Sequence, residues 1–242
     1  WPSGGEDGNG GGEEWSGLQS FLNKPSLLHE VEESLVVIEA LIGWLRRRSG
    51  GDCDSVGRRP DVTVVDLCCG KGVPSVLLSH LAARSSSSEC CAPLRLVRRC
   101  VMTDKIVEGR GNKGGKDDGV DWSHVRRTNV DVKRVSEGGE DELFATVPIE
   151  VWGGTNIHAD GFYDRLRSLV ASEGGNDSGV LAVMGIHLCG MLSPRAVGLF
   201  NALGPDRAPF LCLAPCCLPR HARKKRNRAE SGAPCRAVEG LK

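Results

Sequence analysis

Several things are missing from this sequence, and each absence excludes something. There is no excess of charge: 31 Lys and Arg balance 31 Asp and Glu, so net charge points to no acidic or nucleic-acid partner. No apolar run approaches the ~20 residues that cross a bilayer, which excludes a membrane-spanning helix. No signal peptide is visible, and the chain opens on Trp1 rather than Met, as a processed chain or a fragment would. Targeting to an organelle is therefore left open. No CxxC pair occurs among the eleven cysteines, which argues against a structural zinc site. No internal repeat is present.

The cysteines themselves argue against a disulfide scaffold. Three adjacent pairs occur, Cys68-Cys69, Cys90-Cys91 and Cys216-Cys217, and several thiols lie in or beside apolar runs. Buried or site-lining thiols in a reducing compartment fit that placement, so an intracellular chain, cytoplasmic or nuclear, is expected. A looser set, His187, Cys189, Cys216, Cys217 and His221, has no spacing that brings its members together, and ordinary strand-end thiols are the preferred reading. No metal is expected.

What is present is an alternation. Residues 1–17 are mostly Gly, Glu, Asp and Ser and read as a disordered lead-in. From Pro25 to Arg48 the apolar residues Leu28, Val31, Leu35, Ile38, Leu41 and Leu45 recur every three or four positions. Acids come early and Arg46 to Arg48 come late, which predicts an amphipathic helix inside an N-terminal segment spanning 18–51. Strands are then predicted at Val62 to Leu67, Leu94 to Met102, Pro148 to Trp152, Val180 to Leu188 and Pro209 to Ala214. Helices are predicted at Pro74 to Ala83, Trp122 to Val135, Gly161 to Ala171 and Ser193 to Leu203, the last with Ser193 as N-cap. Polar, glycine-rich insertions at Arg84 to Pro93, Glu108 to Asp121 and Ser136 to Glu142 read as surface loops. Strand and helix in alternation predict an α/β fold, a Rossmann-like doubly wound and mostly parallel sheet, over residues 60–220.

The most informative stretch is VVDLCCGKGVP, Val64 to Pro74. A strand ends on an acid, Asp66. A turn with Gly70 and Gly72 follows, and Pro74 opens a helix. In such sheets ligands bind beyond the carboxyl ends of the strands. A carboxylate there would repel a pyrophosphate, so the acid favours a cationic or zwitterionic ligand. This order counts against a nicotinamide dehydrogenase.

DLCCGKG resembles the first motif of class I S-adenosylmethionine-dependent methyltransferases, an acid followed by Gly-x-Gly-x-Gly, with Cys68 where many members have Gly. The resemblance implies that the loop Asp66, Cys68, Gly70, Lys71, Gly72 wraps the amino-acid end of S-adenosyl-L-methionine. It implies that Asp104, in VMTDK, takes the ribose hydroxyls, and that Asp160, in TNIHAD, sits near the adenine amine. Farther on, GIHLCGMLSPRAVGLFN from Gly185 and LAPCCLPR from Leu213 are similar to the paired signatures of one methyltransferase-domain family. That family includes the glutathione-S-transferase C-terminal-domain-containing protein and relatives of a tRNA 2′-O-methyltransferase. The resemblance spans about Pro60 to Arg220 and is thin from Lys105 to Val147. It favours an RNA substrate narrowly, with a non-catalytic RNA- or protein-binding domain as the alternative.

The same resemblance places His187 and Cys189 at the reaction. His187 reads as a base for an O–H or protonated amine, or as a ring that shapes the pocket by bonding backbone. Cys216 and Cys217 read as pocket lining, or as a thiolate nucleophile of the RNA cytosine-5 type. Leu213 stands where those enzymes carry an Asp, which favours pocket lining. The Asn/Asp-Pro-Pro-aromatic motif of exocyclic-amine methyltransferases is absent. The basic run HARKKRNR, at 221–228 in the tail 221–242, reads as a solvated tail or a phosphate contact, and no aromatic residue is interleaved in it. Only 22 residues follow Arg220, so the sheet is expected to end early, without the last two strands of that fold, or the chain to be truncated.

Overall fold

The computed structural model describes residues 22–49, 61–85, 88–107, 120, 122–125, 147–170 and 179–215. Helix α1 spans Leu27–Ser49. Strand β1 (Val62–Leu67) leads into α2 (Val73–Ala83). A short 3-10 turn, Ala92–Leu96, precedes β2 (Val97–Thr103). Then come β3 (Ile149–Trp152), α3 (Gly161–Ser168), β4 (Val180–Ile186), α4 (Leu192–Leu203) and β5 (Phe210–Ala214).

The five strands form one sheet in the order β3-β2-β1-β4-β5, and every pairing is parallel. The expected Rossmann-like α/β architecture is therefore the fold. Central strands of such a sheet are covered on both faces and so read as unbroken apolar runs. VTVVDL of β1 and VLAVMGI of β4 are buried at every position. Side chains alternate between faces. Val62, Val64, Met102 and Met184 pack with Ile38, Leu41 and Leu45 of α1 and Leu78 of α2. Val65, Leu67, Val101 and Leu181 pack on the other face with Phe162 and Leu166 of α3 and Leu199 and Leu203 of α4. The chain order reverses between β1 and β4, and that switch point opens a crevice at their carboxyl ends. Among the described residues no helix is long and apolar enough to cross a membrane.

Several element ends differ from expectation for local reasons. The second strand starts at Val97 rather than Leu94, because Pro93 opens a 3-10 turn that has buried Leu94 beneath α1 and α2. The fourth strand stops at Ile186, two residues early, because His187 turns to φ +62°. Ser193 does not cap α4: the helix begins at Leu192, and the Ser193 hydroxyl donates to the Leu188 carbonyl at 2.6 Å. α3 ends at Ser168, short of the expected Ala171. In α1 the buried positions are Ser34, Val37, Ile38, Leu41 and Leu45, whereas Leu28 and Leu35 face outward. The helix thus buries its second half against the sheet and lays a polar first half over the crevice. Of the helix expected at Trp122 to Val135, a turn over 123–125 is described. The lead-in 1–17, the insertion Ser136 to Glu142, Cys216, Cys217, His221 and the basic tail lie outside the described residues.

Candidate functional site

The loop after β1 is a left-handed bend built on three residues. Cys68, Gly70 and Gly72 have φ of +56°, +55° and +74°. The Gly72 amide donates to the Cys69 carbonyl at 2.8 Å and closes the turn, and the Gly72 carbonyl starts α2 by accepting from Val76. The Cys69 amide donates to the Thr103 carbonyl at 3.0 Å, and the Gly70 amide to Asp104 Oδ2 at 2.9 Å. The Trp122 indole N–H holds the Gly70 carbonyl at 2.9 Å, and His124 Nε2 lies 2.7 Å from the Lys71 carbonyl. The turn is therefore fastened to the end of β2 on one side and to the segment at 122–125 on the other.

The two glycines serve different needs. A Cβ on Gly72 would sit 2.2 Å from Met102 Cε, so this position is where the loop crosses a buried side chain of β2. A Cβ on Gly70 would meet nothing within 4 Å, so this position borders open space. A bare backbone facing a hollow is the surface a closely held ligand requires.

Asp66 lies at the bottom of that hollow, 1% exposed, and accepts a hydrogen bond from Ser75 Oγ at 2.9 Å. Burial raises its pKa to about 7, the Ser75 bond opposes this, and the negative charge of Asp104 adds to it. Burial also pushes the Cys68 thiol up to about 11, with the Asp104 and Asp66 charges adding to it and Lys105 opposing. Cys69 moves upward for the same main reason. At neutral pH both are thiols, which suits lining and not nucleophilic attack.

Asp104 is nearly buried behind the loop. Its two oxygens accept from the amides of Gly70 and Ile106, each at 2.9 Å. Each carboxylate oxygen has a second acceptor site, so this anchoring does not exhaust the group. Asp160 stands exposed at the start of α3, with no side-chain cap bond, and is not part of the cleft wall.

The cleft is partly open to solvent and leaves about 160 Å³ of room for water-sized molecules. The structure brings Asp66, Cys68, Gly70, Lys71 and His187 together along it. Sequence reasoning missed a further wall: Lys24, Glu30 and Ser34, from α1 and the residues before it. Lys24 and Glu30 form an ion pair at its rim. Glu30 and Ser34 are one helical turn apart, a spacing that puts them on one face. It also missed Ser75, the partner of Asp66, and Glu33, whose Oε2 lies 2.8 Å from His187 Nε2. Nothing in the letters marks Glu33, one of three acids in the first turns of an amphipathic helix.

No cluster of three or more His, Cys, Asp or Glu side chains that could hold a metal ion is found among the described residues. No family model, curated protein or solved structure matches the chain.

Proposed function

We propose that this cleft binds S-adenosyl-L-methionine and that the chain is an S-adenosylmethionine-dependent methyltransferase acting on RNA. One observation carries the choice of ligand: the glycine turn is wired against phosphate. A dinucleotide fold presents the amides of this turn to a pyrophosphate. Here the amides of Cys69, Gly70 and Gly72 already bind carbonyl or carboxylate oxygens of the chain itself. One of those partners is the Asp104 carboxylate, and Asp66 lies in the floor. Two acids behind a bare backbone suit an ammonium and a sulfonium.

The residues present fit such a ligand. Gly70 leaves open space for it, and Asp66 offers a carboxylate to a cation entering the hollow. Cys68, Lys71 and Gly72 complete the loop around its amino-acid end. Asp104 would take the ribose hydroxyls with the acceptor sites its backbone bonds leave, whereas Asp160, exposed outside the cleft wall, has no place in holding it. When bound, the cofactor supplies a methyl group on a sulfonium, and the sulfur keeps the electron pair of the broken C–S bond. The chain's task is alignment of the acceptor, which a rigid loop and a cleft walled on one side by α1 serve. His187, at the end of β4, faces the acceptor. RNA as acceptor rests on the family resemblance and on the basic run at 221–228.

Calorimetric titration of the purified chain with S-adenosylmethionine, S-adenosylhomocysteine and NAD tests the proposal. Binding of the first two is expected, and NAD binding alone overturns it. Cofactor binding without methyl transfer to total RNA would favour the alternative, a non-catalytic binding domain on the same fold.

A further inference from the structure

We infer that Glu33 of α1 is the positioning residue of His187: it holds the imidazole with Nε2 turned away and leaves Nδ1 to take the acceptor's proton. The inference rests on the methyltransferase reading for its chemistry and on geometry for its placement.

Three observations converge. First, His187 and Cys68 are the two non-glycine residues with positive φ among the described residues. Both stand at the carboxyl ends of the adjacent strands β1 and β4, and both line the cleft. Non-glycine residues are held in this region when the surrounding structure requires it, and they cluster at functional sites. The His187 amide donates to the Ala214 carbonyl at 2.9 Å, which fixes the bend by tying it to the end of β5. Second, Glu33 Oε2 is shut off from solvent and makes no well-aligned hydrogen bond, yet lies 2.8 Å from His187 Nε2. A buried carboxylate oxygen is costly unless a partner offsets it, and the imidazole is that partner. Catalytic contacts are commonly misaligned before the reactants bind and tighten afterward. Third, this contact joins the first half of α1 to the end of β4, elements far apart in sequence that both contribute walls to the cleft.

Among the described residues, the charged groups around this pair include His29 on α1, which reaches the other oxygen of Glu33 at 3.3 Å, and Glu32 on the same helix, which reaches His29 at 3.9 Å. Lys24 pairs with Glu30, and Asp66 and Lys71 line the same cleft as the His187 ring.

The chemistry follows from the two ring nitrogens. In a neutral imidazole one nitrogen donates and the other accepts. A carboxylate at Nε2 selects the form with hydrogen on Nε2, so the lone pair is on Nδ1. An O–H or N–H acceptor that gains a methyl cation must release one proton. Nδ1 takes it, and the Glu33 carboxylate offsets the charge of the imidazolium. α1 is then part of the reaction centre as well as a cover over the sheet.

Two-bond proton–nitrogen spectra of the full chain carrying ¹⁵N-histidine report which nitrogen bears hydrogen, with His187 assigned by its loss in His187→Asn. The parent and Glu32→Ala, a control on the exposed face of the same helix, should show the Nε2–H form. Glu33→Ala should shift His187 to a mixture of both forms, with the remaining spectrum unchanged. Glu33→Gln keeps an acceptor for Nε2–H and removes the charge. It should retain the Nε2–H form but slow methyl transfer to total RNA by about tenfold or more, while the affinity for S-adenosylmethionine stays within about twofold. The inference is overturned if Glu33→Ala leaves the His187 pattern as in the parent, or if Glu33→Gln transfers at the parental rate. A chain that binds no S-adenosylmethionine overturns the proposed function and the proton-transfer role with it. The spectra then still decide whether Glu33 holds the ring.

Discussion

Gly70 and Gly72 stand two positions apart in similar backbone conformations, and they answer to different constraints. An Ala at Gly72 would need φ +74° and would press on the buried side chain of Met102. Left-handed backbone costs about 1–2 kcal/mol for a residue with a Cβ, and overpacking adds about 1–3 kcal/mol. Gly72→Ala is therefore expected to lower unfolding free energy by about 2–5 kcal/mol, read by urea denaturation. Gly70→Ala meets no atom and should cost only the backbone term, about 1–2 kcal/mol. Its methyl would project into the cleft, so its main effect should be weaker binding of S-adenosylmethionine by calorimetry. The reverse pattern, Gly70 governing stability and Gly72 governing binding, would contradict the assignment of the hollow. Asp66 adds a pH signature. Its folded pKa of about 7 lies above the ordinary carboxylate value of 3.8, so the folded chain binds more protons than the unfolded one between those values. Stability from this residue is therefore lost as pH rises from about 4 to about 7 and is level above that. The full loss is on the order of 4 kcal/mol, since each tenfold change in proton affinity is worth about 1.4 kcal/mol. Denaturation of the parent should show this downward slope, and Asp66→Asn should flatten the difference. A cation arriving beside Asp66 should also ionise it. Binding at pH 7 is then expected to release a fraction of a proton, measured by calorimetry in two buffers of different ionisation heat.

At the scale of elements, α1 joins the core to the cleft. Leu41 and Leu45 are fully buried against the sheet, and Trp44 packs on Phe210 of β5 with ring centres 5.2 Å apart. Leu41→Ala should therefore destabilise the whole domain by about 2–5 kcal/mol, seen as an earlier single cooperative transition. If only a separate low-temperature step moved, α1 would be a loosely attached segment and its part in the cleft would fall. The existence of α1 was legible because a helix repeats its apolar residues every three to four positions. Its phase was not. Ser34 occupies a buried place, and Leu35 beside it faces outward, because the helix passes from sheet to cleft at that point. The strands β1 and β4 were legible almost to the residue, since burial on both faces leaves unbroken apolar runs. The end of β4 was missed because His187 takes a backbone conformation that its residue type does not announce. Asp66 and the glycine turn could be read as a site because they are adjacent in sequence. Glu33, Ser75 and Trp122 could not, since each reaches the loop through the tertiary fold.

At the scale of the whole molecule, the cleft is shared between the strand ends of one parallel sheet and the helix packed on it, so occupancy of the cleft should be felt by the entire domain. The cleft's walls come from α1, the β1 loop, the start of α2 and the end of β4. None of these pieces has a formed cleft in the unfolded chain, so a ligand held there binds the native state alone. Such a ligand stabilises by about 2.7 kcal/mol at one hundred times its dissociation constant. For a chain of this size each kcal/mol moves the midpoint by about 2–4 °C, so saturation should raise Tm by about 5–10 °C. S-adenosylmethionine and S-adenosylhomocysteine are both expected to give this shift. NAD at the same concentration should give none, because the turn amides that would receive its pyrophosphate are engaged by Thr103, Asp104 and Cys69. Asp104→Ala supplies the internal contrast. Removing that carboxylate releases the Gly70 amide and unfastens the loop, so the shift with S-adenosylmethionine should shrink, and any response to NAD should appear in this variant first. A parent chain whose Tm rises with NAD and not with S-adenosylmethionine would reverse the electrostatic argument at its root.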